Sequence, residues 1–206
     1  MNAENDRVNL GLVKQLVFAQ KEGHVPGELG IWIFILGDMT LYLLLIISFM
    51  VERYSNYEMF TNGALSLHPT IGGINMLLLL TSSLTVALAV KAVREKIMEK
   101  AAPALVRITM TCGFIFIINK YFEYNGLVRE GYPPLENVFY TWYYVLTGIH
   151  LTHLIGGMFV LRFMLKISQI KDKRPEDIRN MESCASFWHA VDILWIILFP
   201  LLYLLR

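Results

Sequence analysis

The chain has 206 residues, 55% of them hydrophobic and 17% charged, too apolar for a soluble domain of that length, so an integral membrane protein is expected. A formal net charge of +1 leaves no basic excess to neutralise phosphates, which argues against a nucleic-acid partner. Cys112 and Cys184 stand alone rather than in a C-x-x-C pair, so both read as small buried apolar residues and not as a zinc site or disulfide framework.

In chain order, residues 1–28 come first as a cytoplasmic N-terminal segment. It carries acidic residues and lacks an apolar core followed by a small-residue cleavage site, so no removable signal peptide is expected. Within it, VNLGLVKQLVFAQ (residues 8–20) has an apolar face at helical spacing and reads as an interfacial helix or a docking surface for a partner. A spanning helix needs about 20 mostly apolar residues. Five segments qualify: Leu29 to Val51, Thr70 to Val93, Pro103 to Phe122, Val138 to Leu165 and Cys184 to Leu205. The connections are short and polar, so residues 29–206 are expected to form one all-α bundle of five transmembrane helices.

Lys and Arg distribute unevenly over the connections. The N-terminal segment has Arg7, Lys14 and Lys21, the loop after span two has Lys91, Arg94, Lys96 and Lys100, and the loop after span four has Lys166, Lys171, Lys173, Arg174 and Arg179. The two alternate connections have only Arg53 and Arg129. The positive-inside bias then predicts a cytoplasmic N-terminus and an outward C-terminus. The outward loops, ERYSNYEMF and ENVFYTWYY, are aromatic-rich, as suits rings anchored at headgroup level.

Ionisable groups inside a span are costly and commonly functional. Asp38 lies in span one, Arg107, Lys120 and Glu123 towards the ends of span three, His150 and His153 in span four, and His189 and Asp192 in span five. Arg107 and Lys120 are expected to snorkel to the interface. With 1.5 Å rise per residue, Asp38, His153 and Asp192 lie about 13, 18 and 12 Å from the cytoplasmic side. A buried carboxylate needs a partner, so either Asp38 or Asp192 is expected to bond a histidine of span four. Asn75, Ser82 and Ser83 in span two, with Gly30, Gly37, Gly148, Gly156 and Gly157, read as helix-packing positions.

His150 and His153 share a helix face by their spacing, and with His189 they raise the possibility of a haem or metal enzyme. The chain has five histidines, two of which, His24 and His68, flank the spans, a thin supply for such a centre. A small proton-coupled transporter would show internal repeats or broken helices; no repeat is evident, and Pro200 lies near a terminus.

Four blocks carry a resemblance. They are GIWIFILGD from Gly30, NMLLLLTSSLTVALAV from Asn75, FIFIINKYFEY from Phe114 with TGIHLTHLIGG from Thr147, and FWHAVDILWIILFPLLYL from Phe187. In this order they resemble subunit III of the haem-copper oxidases, in the short five-span form of bacterial quinol and cytochrome c oxidases. The resemblance implies an accessory subunit with no catalytic, cofactor or metal site of its own, haem and copper being held by partner subunits. It implies a multi-pass protein of a bacterial plasma membrane that packs on the catalytic subunit, binds phospholipid in a cleft between its first two helices and the rest, and supports proton uptake and active-site stability. By position it assigns Asp38 to the family's membrane-buried Glu, Glu123 to its helix-end Glu, and His150, His153, His189, Asp192 and Trp195 to identical residues. The chain departs from that pattern with Asp38 for Glu and Gly37 for Ser. Its lead-in VPGELGIW is closer to the variant encoded with nitric oxide reductases, so a nitric oxide reductase or another membrane oxidoreductase is the alternative partner.

Overall fold

The structure is a computed structural model and describes residues 26–96 and 99–205. The amphipathic stretch 8–20 lies outside the described residues. The elements are α1 (Leu29–Ser55), α2 (Tyr57–Ser66), α3 (Pro69–Arg94), a 3-10 turn (Glu99–Ala101), α4 (Ala102–Arg129), α5 (Val138–Ser168), α6 (Pro175–Phe199) and a π-turn (Pro200–Leu204). Five of these helical stretches are long and apolar enough to cross a membrane, one for each expected segment.

The helices run further than their apolar cores. α6 begins at Pro175 and not at Cys184. A helix starts where its backbone donors are capped rather than where hydropathy rises: Pro occupies the first turn, and the Asp177 carboxylate accepts the Arg174 N–H at 2.8 Å. α4 continues past Phe122 to Arg129, because Lys120 and Glu123 turn inward instead of ending the span. The expected outward loop ERYSNYEMF is helical: α1 extends through Arg53 to Ser55 and α2 follows after Asn56. Its aromatics divide. Phe60 packs edge-on to Phe49 and Phe139, at ring distances of 5.2 and 5.6 Å, whereas Tyr54 and Tyr57 stay exposed.

Side-chain contacts define two ends of the bundle. Gly27 and Arg94 both meet Glu182, and Lys173 meets Glu99, at the basic end. At the other, Arg53 reaches the Leu205 carbonyl and Ser66 bonds Tyr140.

α6 is the central helix, lying against both α5 and α3, while α3 and α4 form a close pair. Half of the apolar stretch of α6 is buried inside the bundle, against 17% for α1. α1 buries Ile35, Tyr42 and Phe49, spaced by seven residues, which makes a narrow seam on one side of the helix. Trp188 joins the centre. Its indole lies where a Cβ on Gly113 of α4 or Gly157 of α5 would come within 2.9 Å, and its Nε1–H donates to Ser82 Oγ of α3 at 2.9 Å. One α6 side chain thus fixes three neighbours, and the two glycines let the helices close around it.

Candidate functional site: polar groups buried between the spans

The polar side chains sort into pairs that cross from helix to helix. Between α3 and α4, Asn119 Nδ2 donates to Asn75 Oδ1 at 2.8 Å and Thr85 shares a hydrogen bond with Thr109 at 2.7 Å. Between α3 and α6, Ser83 Oγ meets His189 Nδ1 at 2.8 Å, next to the Ser82–Trp188 bond. These contacts use the hydroxyl and amide face of span two as close-packed helices in lipid do, where each polar group must find its partner inside the protein.

Asp38 and His153 tie α1 to α5. His153 Nε2 lies 3.0 Å from Asp38 Oδ1, and the other ring nitrogen, Nδ1, lies 2.9 Å from the Ile149 carbonyl. A carbonyl only accepts, so Nδ1 carries a hydrogen. Any hydrogen bond between Nε2 and the carboxyl therefore needs one further proton, which the imidazole or the acid supplies. Either arrangement is electrically neutral as a pair, which makes its burial affordable in a low-dielectric span. The Tyr42 ring stands edge-on to the imidazole at 5.9 Å.

His150 has a different environment. One of the two span-four histidines to which a carboxylate is expected to bond, it is fully buried between Phe116 and Trp195, with ring distances of 5.5 and 5.1 Å, and neither ring nitrogen has a hydrogen-bond partner among the described residues. The three-residue offset from His153 turns its ring away from α1 and towards α4 and α6. Asp192 is also buried, one turn beyond His189, with its carboxyl facing Ser83 but no bond of normal geometry to either oxygen. His150, His153 and His189 thus engage three separate neighbourhoods and do not converge on one point.

Lys120 overturns its expected snorkelling. It is 0% exposed. Its Nζ donates to Glu123 Oε2 at 2.9 Å, Tyr203 Oη at 3.0 Å and Tyr143 Oη at 3.1 Å, using all three ammonium hydrogens. Tyr203 in turn donates to Glu123 Oε1, so both carboxylate oxygens are bonded. The rings of Tyr124, Tyr143, Trp195 and Tyr203 surround the ammonium at 4.9–5.7 Å, near enough for each π face to attract it. Lys120, Glu123, Tyr143 and Tyr203 are bound together across α4, α5 and the π-turn. Arg107, by contrast, is exposed.

Of the expected packing glycines, only Gly157 meets a neighbour among the described residues; a Cβ on Gly30, Gly37, Gly148 or Gly156 would touch none of them within 4 Å. Gly148 therefore makes no close helix contact among the described residues. Gly63, Gly72 and Gly113, close-approach glycines that spacing did not single out, each face an aromatic ring of another element.

A cavity of about 870 Å³ opens at the basic end between α1, α3 and α6. Its walls include Trp32, Ile35, Met39, Val90 and Ile193, with Lys91, Arg94, Glu95 and Glu182 as charged groups and His189 as a polar one. A second, smaller and almost wholly apolar cleft lies on the other side of α1, lined by Phe34, Phe159, Phe163 and Phe187.

Comparison with known proteins matches the sequence to one family. The chain is 29% identical over 178 residues to the cytochrome bo(3) ubiquinol oxidase subunit 3 of Buchnera aphidicola, covering 85% of this chain and 84% of the relative. It is 24% identical over 189 residues to the protein of the same name from Pseudomonas aeruginosa, covering 85% and 83%. A shorter match, 32% over 99 residues, covers 48% of this chain and 49% of a probable cytochrome c oxidase subunit 3 of Nocardia farcinica. The family model described as cytochrome c oxidase subunit III matches residues 20–205, so the chain belongs to that family.

Proposed function

We propose that the chain is the non-catalytic third subunit of a haem-copper oxidase-type respiratory complex of a bacterial plasma membrane. The observation that carries this reading is the use made of the buried polar groups. Asn75, Ser82, Lys120 and Glu123, which are buried, and Asp38, Ser83 and His153, which are partly buried, bond a neighbouring helix or each other. Such groups hold five spans in one register, and on the family reading haem and copper belong to partner subunits. The family match over residues 20–205 supports the same reading.

On this reading the basic end faces the cytoplasm, and the open glycine faces of α1 and α5 meet the catalytic subunit, where a helix could approach closely. The cavity between α1, α3 and α6 holds a phospholipid, its acyl chain along the apolar walls and its phosphate at Lys91 and Arg94. By fixing lipid and charge beside the catalytic subunit, the chain supports proton uptake and active-site stability.

Purification in mild detergent tests the assignment, with mass spectrometry of co-purifying chains and a visible spectrum. A many-helix, haem-bearing chain should co-purify and account for all haem absorbance. Haem retained by this subunit alone, or its isolation without any such partner, would overturn the proposal.

A further inference from the structure

Residues 26–28 do more than lead into α1. The Gly27 N–H donates to Glu182 Oε2 at 3.1 Å and the Glu28 N–H to Ser183 Oγ at 2.9 Å, while Glu28 Oε1 lies 3.3 Å from Arg179 Nη2. All three partners belong to the first turns of α6. On the α1 side, Trp32 Nε1–H donates back to the Pro26 carbonyl at 2.8 Å. The segment therefore bridges α1 to α6, and Pro26, Trp32 and Glu182 all line the large cavity.

The bridge is built for one residue type. Gly27 has φ +79°, and a Cβ there would lie 2.7 Å from Ser183 Oγ and 3.0 Å from the Ser183 Cα and N. Backbone on the far side of the contact cannot yield as a flexible side chain would, and the left-handed conformation itself disfavours an L side chain. Glu182 links the bridge to the cavity's charge: besides the Gly27 amide at Oε2, its Oε1 lies 3.7 Å from Arg94 Nη1, and Arg94 stands half-exposed on the cavity wall.

We propose that Pro26–Gly27–Glu28 is a strap that closes the α1–α6 side of this cavity and controls exchange of its occupant. This rests on the reading of the occupant as a phospholipid. A phosphate at Lys91 and Arg94 sits beside the carboxylate that anchors the strap, so the Arg94 guanidinium is shared between headgroup and latch. Loosening the strap opens the side of the cavity without removing the cations.

The test uses the purified complex, transferred into vesicles of perdeuterated palmitoyl-oleoyl phosphatidylglycerol, with loss of retained light phospholipid followed by mass spectrometry. Gly27→Ala should speed exchange of one lipid per complex by about tenfold, the effect of removing two hydrogen bonds from the closed state. Trp32→Phe keeps an aromatic ring, loses only the Pro26 bond and should speed exchange severalfold; it carries the test should the alanine variant fail to assemble. Exchange at the unaltered rate in assembled variants would overturn the strap. Lys91→Ala separates the two ideas, because Lys91 lines the cavity but is not among the strap's bonded partners: it should lower retention by one lipid, and unchanged retention would overturn the lipid reading itself.

Discussion

The Lys120–Glu123 pair gives the sharpest test of how this bundle is held. Both side chains are almost wholly buried, at 0% and 2% exposure. Replacing Lys120 by Met leaves the Glu123 carboxylate with Tyr203 alone, and replacing Glu123 by Gln leaves an ammonium among aromatic rings. Removing one partner of a buried ion pair costs about 3–5 kcal/mol, because the survivor keeps its desolvation penalty without its partner. Replacing both, as Lys120→Met with Glu123→Gln, removes both charges and should recover most of that loss. The coupling energy between the two sites is therefore expected to be about 2 kcal/mol or more, with the double variant more stable than either single one. Denaturation of the full-length chain in mixed micelles, followed by tyrosine and tryptophan fluorescence, measures all four species. Single-variant losses below about 1 kcal/mol, the range of exposed pairs, would refute the buried network, and additive losses would refute the coupling.

Further expectations concern the centre and the edge of the bundle. Trp188→Ala should destabilise the chain by about 3–5 kcal/mol, whereas Trp188→Phe, which withdraws the donor from Ser82, should cost about 1–2 kcal/mol; the same denaturation assay checks both. Gly157→Val places carbon into the Trp188 ring and should cost about 1–3 kcal/mol, while Gly148→Val, with open space at its Cβ, should leave the isolated chain unchanged and weaken only co-purification with the partner. Asp38→Asn can still donate to His153 Nε2 and should stay within about 1 kcal/mol of the parent, but Asp38→Ala should lose about 1–2 kcal/mol and increase proteolysis at the ends of α1.

How much of this was legible in the sequence depends on what each residue's signal measures. Apolar run length located all five spans, since a bilayer demands it of any helix regardless of neighbours. It misplaced the start of α6 because PEDIRNMES is polar, although its Pro and Asp are helix-start signals that hydropathy ignores. Lys120 reads as snorkelling from sequence because its distance from the helix end permits it. Only the fold shows Tyr143 and Tyr203, distant by 23 and 83 positions along the chain, closing over it. Tyr143 belongs to a cluster that reads as an anchoring belt, and nothing local separates a belt tyrosine from a buried one. His150 and His153 look equivalent by spacing, yet three residues of helix turn one ring towards Asp38 and the other into Phe116 and Trp195. The Asp38–His153 pairing was accessible because matching depth and the cost of a lone carboxylate limit the candidates. Both α1 and α6 pack on α5, so choosing Asp38 over Asp192 required knowing which way the His153 ring turns.

α1 shows why those polar pairs matter. Lipid is as apolar as leucine, so burying apolar surface against a neighbour gains little inside a membrane, and α1 buries only 17% of its apolar stretch in any case. Its seam of Ile35, Tyr42 and Phe49 is one residue wide. What fixes it are directional ties at three levels: the strap from Gly27 and Glu28 to α6 at the basic end, Asp38 to His153 near the middle, and Arg53 Nη1 to the Leu205 carbonyl, at 2.6 Å, at the far end. Three such points set the height and rotation of a helix while using little of its surface. The remaining faces of α1, with Ile33, Leu36, Leu43, Leu44 and Ile47 exposed, stay available to lipid and to a partner subunit, and the two clefts that flank the helix follow from the same economy of contact.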